Sequence, residues 1–240
     1  MSQCDDTLHF WCLTQSKLNK LFVHDLKNPI SALSANLSFL ETALTQEPEE
    51  VMGAISDSIL ATEMLLRFAE NLNLIAMLEA EESCGISQVN LEALLLAIVK
   101  RNQKFANSAG LRIEIAGPLV NKSMAFQYRY AELAIENLIL SAIRHSPQGS
   151  EVIVGSALEG EKVRIFVRDH GRPVNEELVE ALLTREAQAE AKKNSGSRYG
   201  RGLGLYAVGL AAKALHGEIK MGLGDGMTEF SLILPSLSSE

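Results

Sequence analysis

Apolar residues recur every three or four positions through the start of the chain: Leu18, Phe22, Leu26, Ile30, Leu33, Leu37, Leu40 and Leu44. That spacing is the stripe of one long helix with a partner along one side, and it predicts a helix over Leu8–Thr45. Pro29 lies inside the stripe and predicts a kink, because proline lacks an N–H and its ring collides with the preceding turn. Thr45-Gln46-Glu47-Pro48-Glu49-Glu50 reads as a tight loop opening a second helix. That helix is expected to run to about Glu82, with its own stripe of Ile55, Ile59, Thr62, Leu66, Ala69 and Leu72. Two such helices form an antiparallel hairpin whose apolar seam needs a cover. A second copy supplies it by completing a four-helix bundle; packing of the hairpin on the rest of the same chain is the alternative.

From Ser83 onward the period changes. Short alternating strands are predicted at Leu111–Ile115, Val152–Val154, Val163–Val167, Glu218–Met221 and Glu229–Leu234. Helical stretches fall between them, at Leu91–Ala109, Arg129–Arg144, Glu176–Glu190 and Gly202–Leu215. Paired strands with intervening helices predict an α+β layered sandwich. Residues 1–83 form the helical hairpin in this reading and residues 84–240 the α/β sandwich. Ala187–Tyr199 is rich in Ala, Lys, Ser and Gly with almost no apolar anchor, which predicts a mobile loop. No internal repeat is present.

Composition narrows the function classes. With 47% hydrophobic and 22% charged residues over 240 positions, the chain can bury one large core or two smaller ones. The formal net charge of −8 argues against nonspecific nucleic-acid binding, which needs a basic footprint. Cys4, Cys12 and Cys84 have neither metal-ligand nor redox spacing and read as reduced thiols. There is no basic-then-apolar leader, and runs such as Leu94–Val99 are far too short to span a bilayer. The expected location is the cytoplasm.

The first motif with chemical content is His24-Asp25-Leu26-Lys27-Asn28-Pro29. His24 lies about 200° round the helix from Phe22, on the face away from the stripe. An imidazole presented there beside a carboxylate can attack a phosphoryl group, with Asp25 taking its proton or fixing the tautomer. Asn28, one turn on, can position a water or a phosphate oxygen. By itself the pattern is equally that of a solvated helix face. The nine residues Phe22-Val23-His24-Asp25-Leu26-Lys27-Asn28-Pro29-Ile30, however, closely resemble the H-box of bacterial two-component sensor histidine kinases. The resemblance implies that His24 is phosphorylated from ATP, that Asp25 assists, that Asn28 supports dephosphorylation of the response regulator, and that Pro29 is the kink proline.

Three further stretches fit the same family in order. Glu136-Asn137-Leu138-Ile139-Leu140-Ser141-Ala142-Ile143-Arg144 resembles the N-box, a helix whose polar face meets nucleotide phosphates and magnesium. Asn137 and Ser141 share a face at a spacing of four, and Arg144 adds charge on the neighbouring turn. Ser141 stands where the family has a second asparagine, and its hydroxyl reaches less far toward a magnesium ion. Asp169-His170-Gly171-Arg172-Pro173 resembles the G1 box, which implies an adenine-binding role for Asp169; Gly171 matches and Pro173 replaces a glycine. Gly200-Arg201-Gly202-Leu203-Gly204-Leu205 resembles the G2 box in its three glycines and both leucines. Such glycines let backbone N–H groups approach phosphates ahead of a helix N-terminus. Arg201 stands where Thr or Ser is usual, and either contacts a phosphate or faces solvent.

The tail, Ala214-Leu215-His216-Gly217-Glu218-Ile219 through Gly226-Met227-Thr228-Glu229-Phe230 to Leu234-Pro235, resembles the last hairpin of the family's ATPase domain, with His216 marking a helix end. His9, His145 and His170 belong to no catalytic constellation. The whole resemblance spans His9 to Pro235, and it implies a dimerisation and phosphoacceptor stem followed by an ATPase domain of the histidine kinase/gyrase/Hsp90 type. The implied activity is an ATP- and Mg2+-dependent protein-histidine kinase acting as a homodimer and passing the phosphoryl group to a response-regulator receiver domain. Ser141, Pro173 and Arg201 leave a second reading, a histidine phosphotransfer protein whose nucleotide site has decayed. A non-catalytic scaffold is a third reading, against which the His-Asp-x-x-Asn pattern counts. With only a few residues ahead of the stem, input is expected from a separate sensory protein that docks on the stem or N-terminus.

Overall fold

The computed structural model describes residues 29–33, 35–40, 48–79, 85–171 and 204–235. His24, Asp25, Asn28, Gly200 and Gly202 lie outside the described residues, as do Pro173, Arg201, the predicted helix at Glu176–Glu190 and the predicted loop at Ala187–Tyr199. The chain divides into two compact units, residues 1–72 and 73–240.

In the first unit, residues 29–33 and 35–40 are helical, and Pro29 is buried. Helix α1 spans Pro48–Glu79. Proline suits the first helical position, whose N–H has no intrahelical partner, and Glu49 and Glu50 follow where the helix dipole favours acids. Among the described stripe residues, five large apolar side chains are open to solvent in the single chain, while Leu33, Leu40 and Leu72 are half-buried. Ile59 is 44% exposed and Leu66 60%, and Ile30, Leu37 and Ile55 are exposed as well. Ala54 and Ala61 are the buried apolar residues of this part of α1.

The second unit is two layers. Its elements run β1 (Ser87–Asn90), α2 (Leu91–Ser108), β2 (Arg112–Ile115), β3 (Ser123–Phe126), α3 (Tyr128–His145), β4 (Glu151–Glu159), β5 (Lys162–Asp169), α4 (Gly204–Ala214), β6 (Glu218–Gly224) and β7 (Met227–Pro235). A five-stranded sheet has the order β2-β4-β5-β7-β6, parallel only between β2 and β4. Alternation along the strands sends Val152, Val154, Val163, Ile165, Val167, Phe230, Leu232 and Leu234 into one core with the apolar faces of α2, α3 and α4. Leu74, near the end of α1 and within the second unit, joins that core.

Two elements have no counterpart in the sequence pattern. β1 and β3 pair antiparallel as a separate two-stranded sheet, Ser87 opposite Phe126 and Asn90 opposite Ser123. Each is four residues long, too short for a period to show. Asn90 then ends β1 and caps α2, its side-chain oxygen accepting from the Ala93 N–H at 2.9 Å. β4 is also longer than its apolar run, continuing through Gly155, Ser156 and Ala157 to Glu159. Gly155 is required there: a Cβ would sit 2.2 Å from Cζ of Phe166 on β5.

On the sheet face away from the helices, Phe166 lies under two guanidinium groups, with Arg164 Cζ 4.8 Å and Arg168 Cζ 4.6 Å from the ring centre. Glu229 of β7 ties both arginines, accepting from Arg164 Nη1 at 2.6 Å and Arg168 Nε at 2.7 Å. Arg168 also pairs with Asp225 in the β6–β7 turn. That turn is Asp225-Gly226, both at positive φ (52° and 79°), the pairing that matches a two-residue loop to strand twist.

Candidate functional site

Helix α3 carries the first group of candidate residues because its core face is fixed by Ile135, Leu138, Ile139 and Ala142, all essentially buried. With that face inward, Asn137 falls beside it and is 7% exposed. Its Nδ2 donates to the Leu133 carbonyl one turn back at 3.0 Å. Ser141, a turn further on, is half-buried, and Arg144 in the last turn is exposed.

Gly204 opens α4, and a Cβ there would lie 2.8 Å from Oδ1 of Asn137. The N-box asparagine and the last G2-box glycine are therefore in contact, although 67 positions of sequence separate them. The glycine's missing side chain is what lets the Asn137 amide approach the first turn of α4. That first turn has backbone N–H groups without intrahelical acceptors, which suits an anion.

Asp169 is the last residue of β5 and has no exposed surface. Its Oδ1 accepts from the Gly171 N–H at 2.7 Å, closing an Asx turn that bends the chain out of the sheet. Thr228, opposite Asp169 in the β5–β7 register and 1% exposed, donates its hydroxyl to the Gly171 carbonyl at 3.1 Å. One residue of this turn is thus held from both sides. Sequence reasoning missed Thr228 as a site residue. The available signal was a polar side chain at an inward-facing position of β7, in register with Phe230, Leu232 and Leu234.

The donor chemistry fits a nucleotide with magnesium. The Asn137 amide and Ser141 hydroxyl are oxygen donors on one helix face, adequate for an ion that keeps most of its ligands as water and phosphate. Arg144 supplies a cation near that face, and Gly204 opens the helix whose first turn Asn137 approaches.

The family model described as "Histidine kinase-, DNA gyrase B-, and HSP90-like ATPase" matches residues 128–238, from the start of α3 past the end of β7. Sensor-like histidine kinase SenX3 of Mycobacterium tuberculosis is 27% identical over 220 residues, covering 89% of this chain and 52% of SenX3. Sensor protein SrrB of Staphylococcus aureus is 23% identical over 215 residues, covering 88% of this chain and 36% of SrrB. The chain thus spans about half, or less, of the length of these curated relatives. Its fold is that of the Acinetobacter baumannii histidine kinase AdeS, with a TM-score of 0.59 at 18% identity, covering 90% of this chain and 98% of that one. Residues 128–238 thus form an ATPase domain of that family, and over most of its length the chain is similar to sensor histidine kinases and has the fold of their catalytic cores.

Proposed function

We propose that this chain is an ATP-dependent protein-histidine kinase that phosphorylates its own His24 as a homodimer and passes the phosphoryl group to a response-regulator aspartate. The observation that carries the proposal is the contact between Asn137 and Gly204, which brings together the two stretches that resemble the N-box and the G2 box. The match of residues 128–238 to an ATPase family supports it, as does the histidine kinase description of the relatives.

ATP, when bound, supplies the γ-phosphoryl group, with magnesium offsetting phosphate charge. Asp169, Gly171 and the Gly200, Gly202 and Gly204 backbone hold the nucleotide in this reading; Asn137, Ser141 and Arg144 orient the phosphates, and Asn137 with Ser141 hold the metal. A ring nitrogen of His24 forms the new bond to phosphorus while the bond to the ADP oxygen breaks. Asp25 accepts or steadies the proton that the imidazole gives up. Asn28 orients water for the later hydrolysis. The protein's contribution is positioning and charge stabilisation rather than new covalent chemistry. Exposed apolar stripes at Ile30, Leu37, Ile59 and Leu66 support the homodimer, since a second hairpin would cover them.

The decisive experiment incubates purified protein with γ-labelled ATP and magnesium beside His24→Ala. Acid-labile label on the unaltered protein alone establishes the autokinase. No label, with no nucleotide binding by calorimetry, overturns it in favour of a phosphotransfer protein charged by another kinase, the reading that Ser141, Pro173 and Arg201 favour.

A further inference from the structure

Between α2 and α3 lies a polar clamp that neither the motifs nor the family match assigns a role. Glu136 of α3 is gripped by two consecutive residues of α2. Arg101 donates to it with both Nε and Nη2, at 3.2 Å to Oε1 and 3.0 Å to Oε2. Asn102, with no exposed surface, donates Nδ2 to the same Oε1 at 3.2 Å and to the Ile98 carbonyl at 2.8 Å. One turn earlier on α3, Glu132 accepts from Arg101 Nη1 at 3.0 Å and from the Tyr128 hydroxyl at 2.9 Å. Burial opposes the Arg101 charge, but Glu136 and Glu132 outweigh it and hold the guanidinium's pKa above its ordinary value.

The clamp sits beside the most demanding residue of the site. Glu136 immediately precedes Asn137, so Glu132 and Glu136 form one face of α3 while Leu133 and Asn137 form the next. The apolar face of α3 fixes its depth in the core, but dispersion contacts are non-directional and tolerate a small roll about the helix axis. A bidentate guanidinium–carboxylate pair is directional and does not. A roll of about 10° carries a side-chain atom some 5 Å from the axis through roughly 1 Å. Such a roll would change how closely Asn137 approaches the start of α4, where its Oδ1 lies 2.8 Å from the point a Cβ on Gly204 would occupy.

We infer that Arg101 and Asn102, acting through Glu136, are positioning residues that set the roll of α3 and thereby aim the Asn137 amide at the first turn of α4. The inference rests on the nucleotide-binding reading for its functional consequence and on geometry alone for its structural one. Misaligning one hydrogen bond to a charged phosphate group is worth about 10- to 100-fold in affinity.

The test uses the full chain carrying Glu136→Gln or Arg101→Met, with Arg164→Met on the opposite sheet face as a matched loss of an ion pair. Affinity for a non-hydrolysable ATP analogue with magnesium is measured by calorimetry. The side-chain amide signal of Asn137 is followed by 15N NMR without nucleotide. The clamp variants are expected to lose about 10- to 100-fold in affinity and to shift the Asn137 amide signal while still unfolding cooperatively. Arg164→Met is expected to lower the melting temperature and leave both readouts unchanged. Clamp variants that bind as tightly as the unaltered protein, or an affinity loss equal to that of Arg164→Met, overturn the inference, as does an unmoved Asn137 signal. If the unaltered protein binds no nucleotide, the nucleotide-binding proposal falls, and the Asn137 signal alone decides the clamp.

Discussion

The Thr228 hydroxyl donates to the Gly171 carbonyl at 3.1 Å, so β7, the neighbour of β5 in the sheet, fastens the turn that leaves β5. The same glycine is held on its other side by Asp169, whose Oδ1 accepts from its N–H at 2.7 Å. Thr228→Val keeps the shape and removes the donor. A buried carbonyl left without its partner costs about 1–3 kcal/mol, and denaturant unfolding is expected to show that loss, with Thr228→Ser recovering most of it. Nucleotide affinity falls with it because the Asp169 turn loosens. Identical unfolding curves for the valine variant and the unaltered protein would remove Thr228 from the site.

Gly204 makes a sharper claim. A methyl group there meets the Asn137 Oδ1 at 2.8 Å, closer than Cβ atoms and oxygens normally come. Either the Asn137 amide swings away or the start of α4 moves, and in both cases the two motifs separate. Gly204→Ala is expected to reduce ATP-analogue affinity by more than about 10-fold. Its melting temperature changes by only a few degrees, since alanine is otherwise a good helix residue. Calorimetry and a thermal melt on the same preparation check both halves. Unchanged affinity would show that the Asn137–Gly204 contact carries no phosphate-binding role.

Most of the second unit was legible because its periods are strong. Helices α2 and α3 and the strands β5, β6 and β7 fall within a few residues of their patterns. β1 and β3 were invisible because four residues show no period and their pairing is settled across more than thirty positions of intervening chain. β4 was read short because Gly155, Ser156 and Ala157 lack strand propensity; Gly155 is glycine because Phe166 fills the space its Cβ would take. Candidate residues were found where a motif named them. Thr228 and the Arg101–Glu136 clamp were not, because their partners lie 57 and 35 positions away and no local signal announces such a pair. His24, Asp25 and Asn28 rest on the H-box resemblance alone.

The outer face of the sheet predicts a pH dependence. Burial pushes the Glu229 carboxyl up, but hydrogen bonds from Arg168 and Ser231, and the charges of Arg164 and Arg168, outweigh it and hold its pKa below the ordinary glutamate value of 4.5. A carboxylate depressed on folding adds stability that is present above its unfolded pKa and fades as pH falls through the folded one. Denaturant unfolding between about pH 7 and pH 3 is therefore expected to show stability declining below the ordinary glutamate range. Glu229→Gln lowers stability at neutral pH and flattens that decline. A variant whose acid profile parallels that of the unaltered protein would mean that other carboxylates govern it.

The last prediction concerns the first unit. Ile55, Ile59 and Leu66 recur on one side of α1 at helical spacing and stand open to solvent in the single chain, as do Ile30 and Leu37 of the preceding helical residues. A contiguous apolar stripe of this length is costly in water, at about 25 cal/mol for each Å2 of apolar surface left uncovered. A second hairpin covering it completes the bundle that the two stripes imply. Sedimentation velocity at about 10 μM, above a dissociation constant of about 1 μM, is expected to show a dimer. Leu66→Glu places a charge in that seam and removes a leucine whose burial by the second copy would be worth about 1.5–3 kcal/mol, so the dissociation constant rises by about 10- to 100-fold or more. Circular dichroism should keep the second unit's signature, because Leu66 lies outside its core. A monomer from the unaltered protein, or a dimer untouched by Leu66→Glu, would show that the stripe is covered by something other than a second copy.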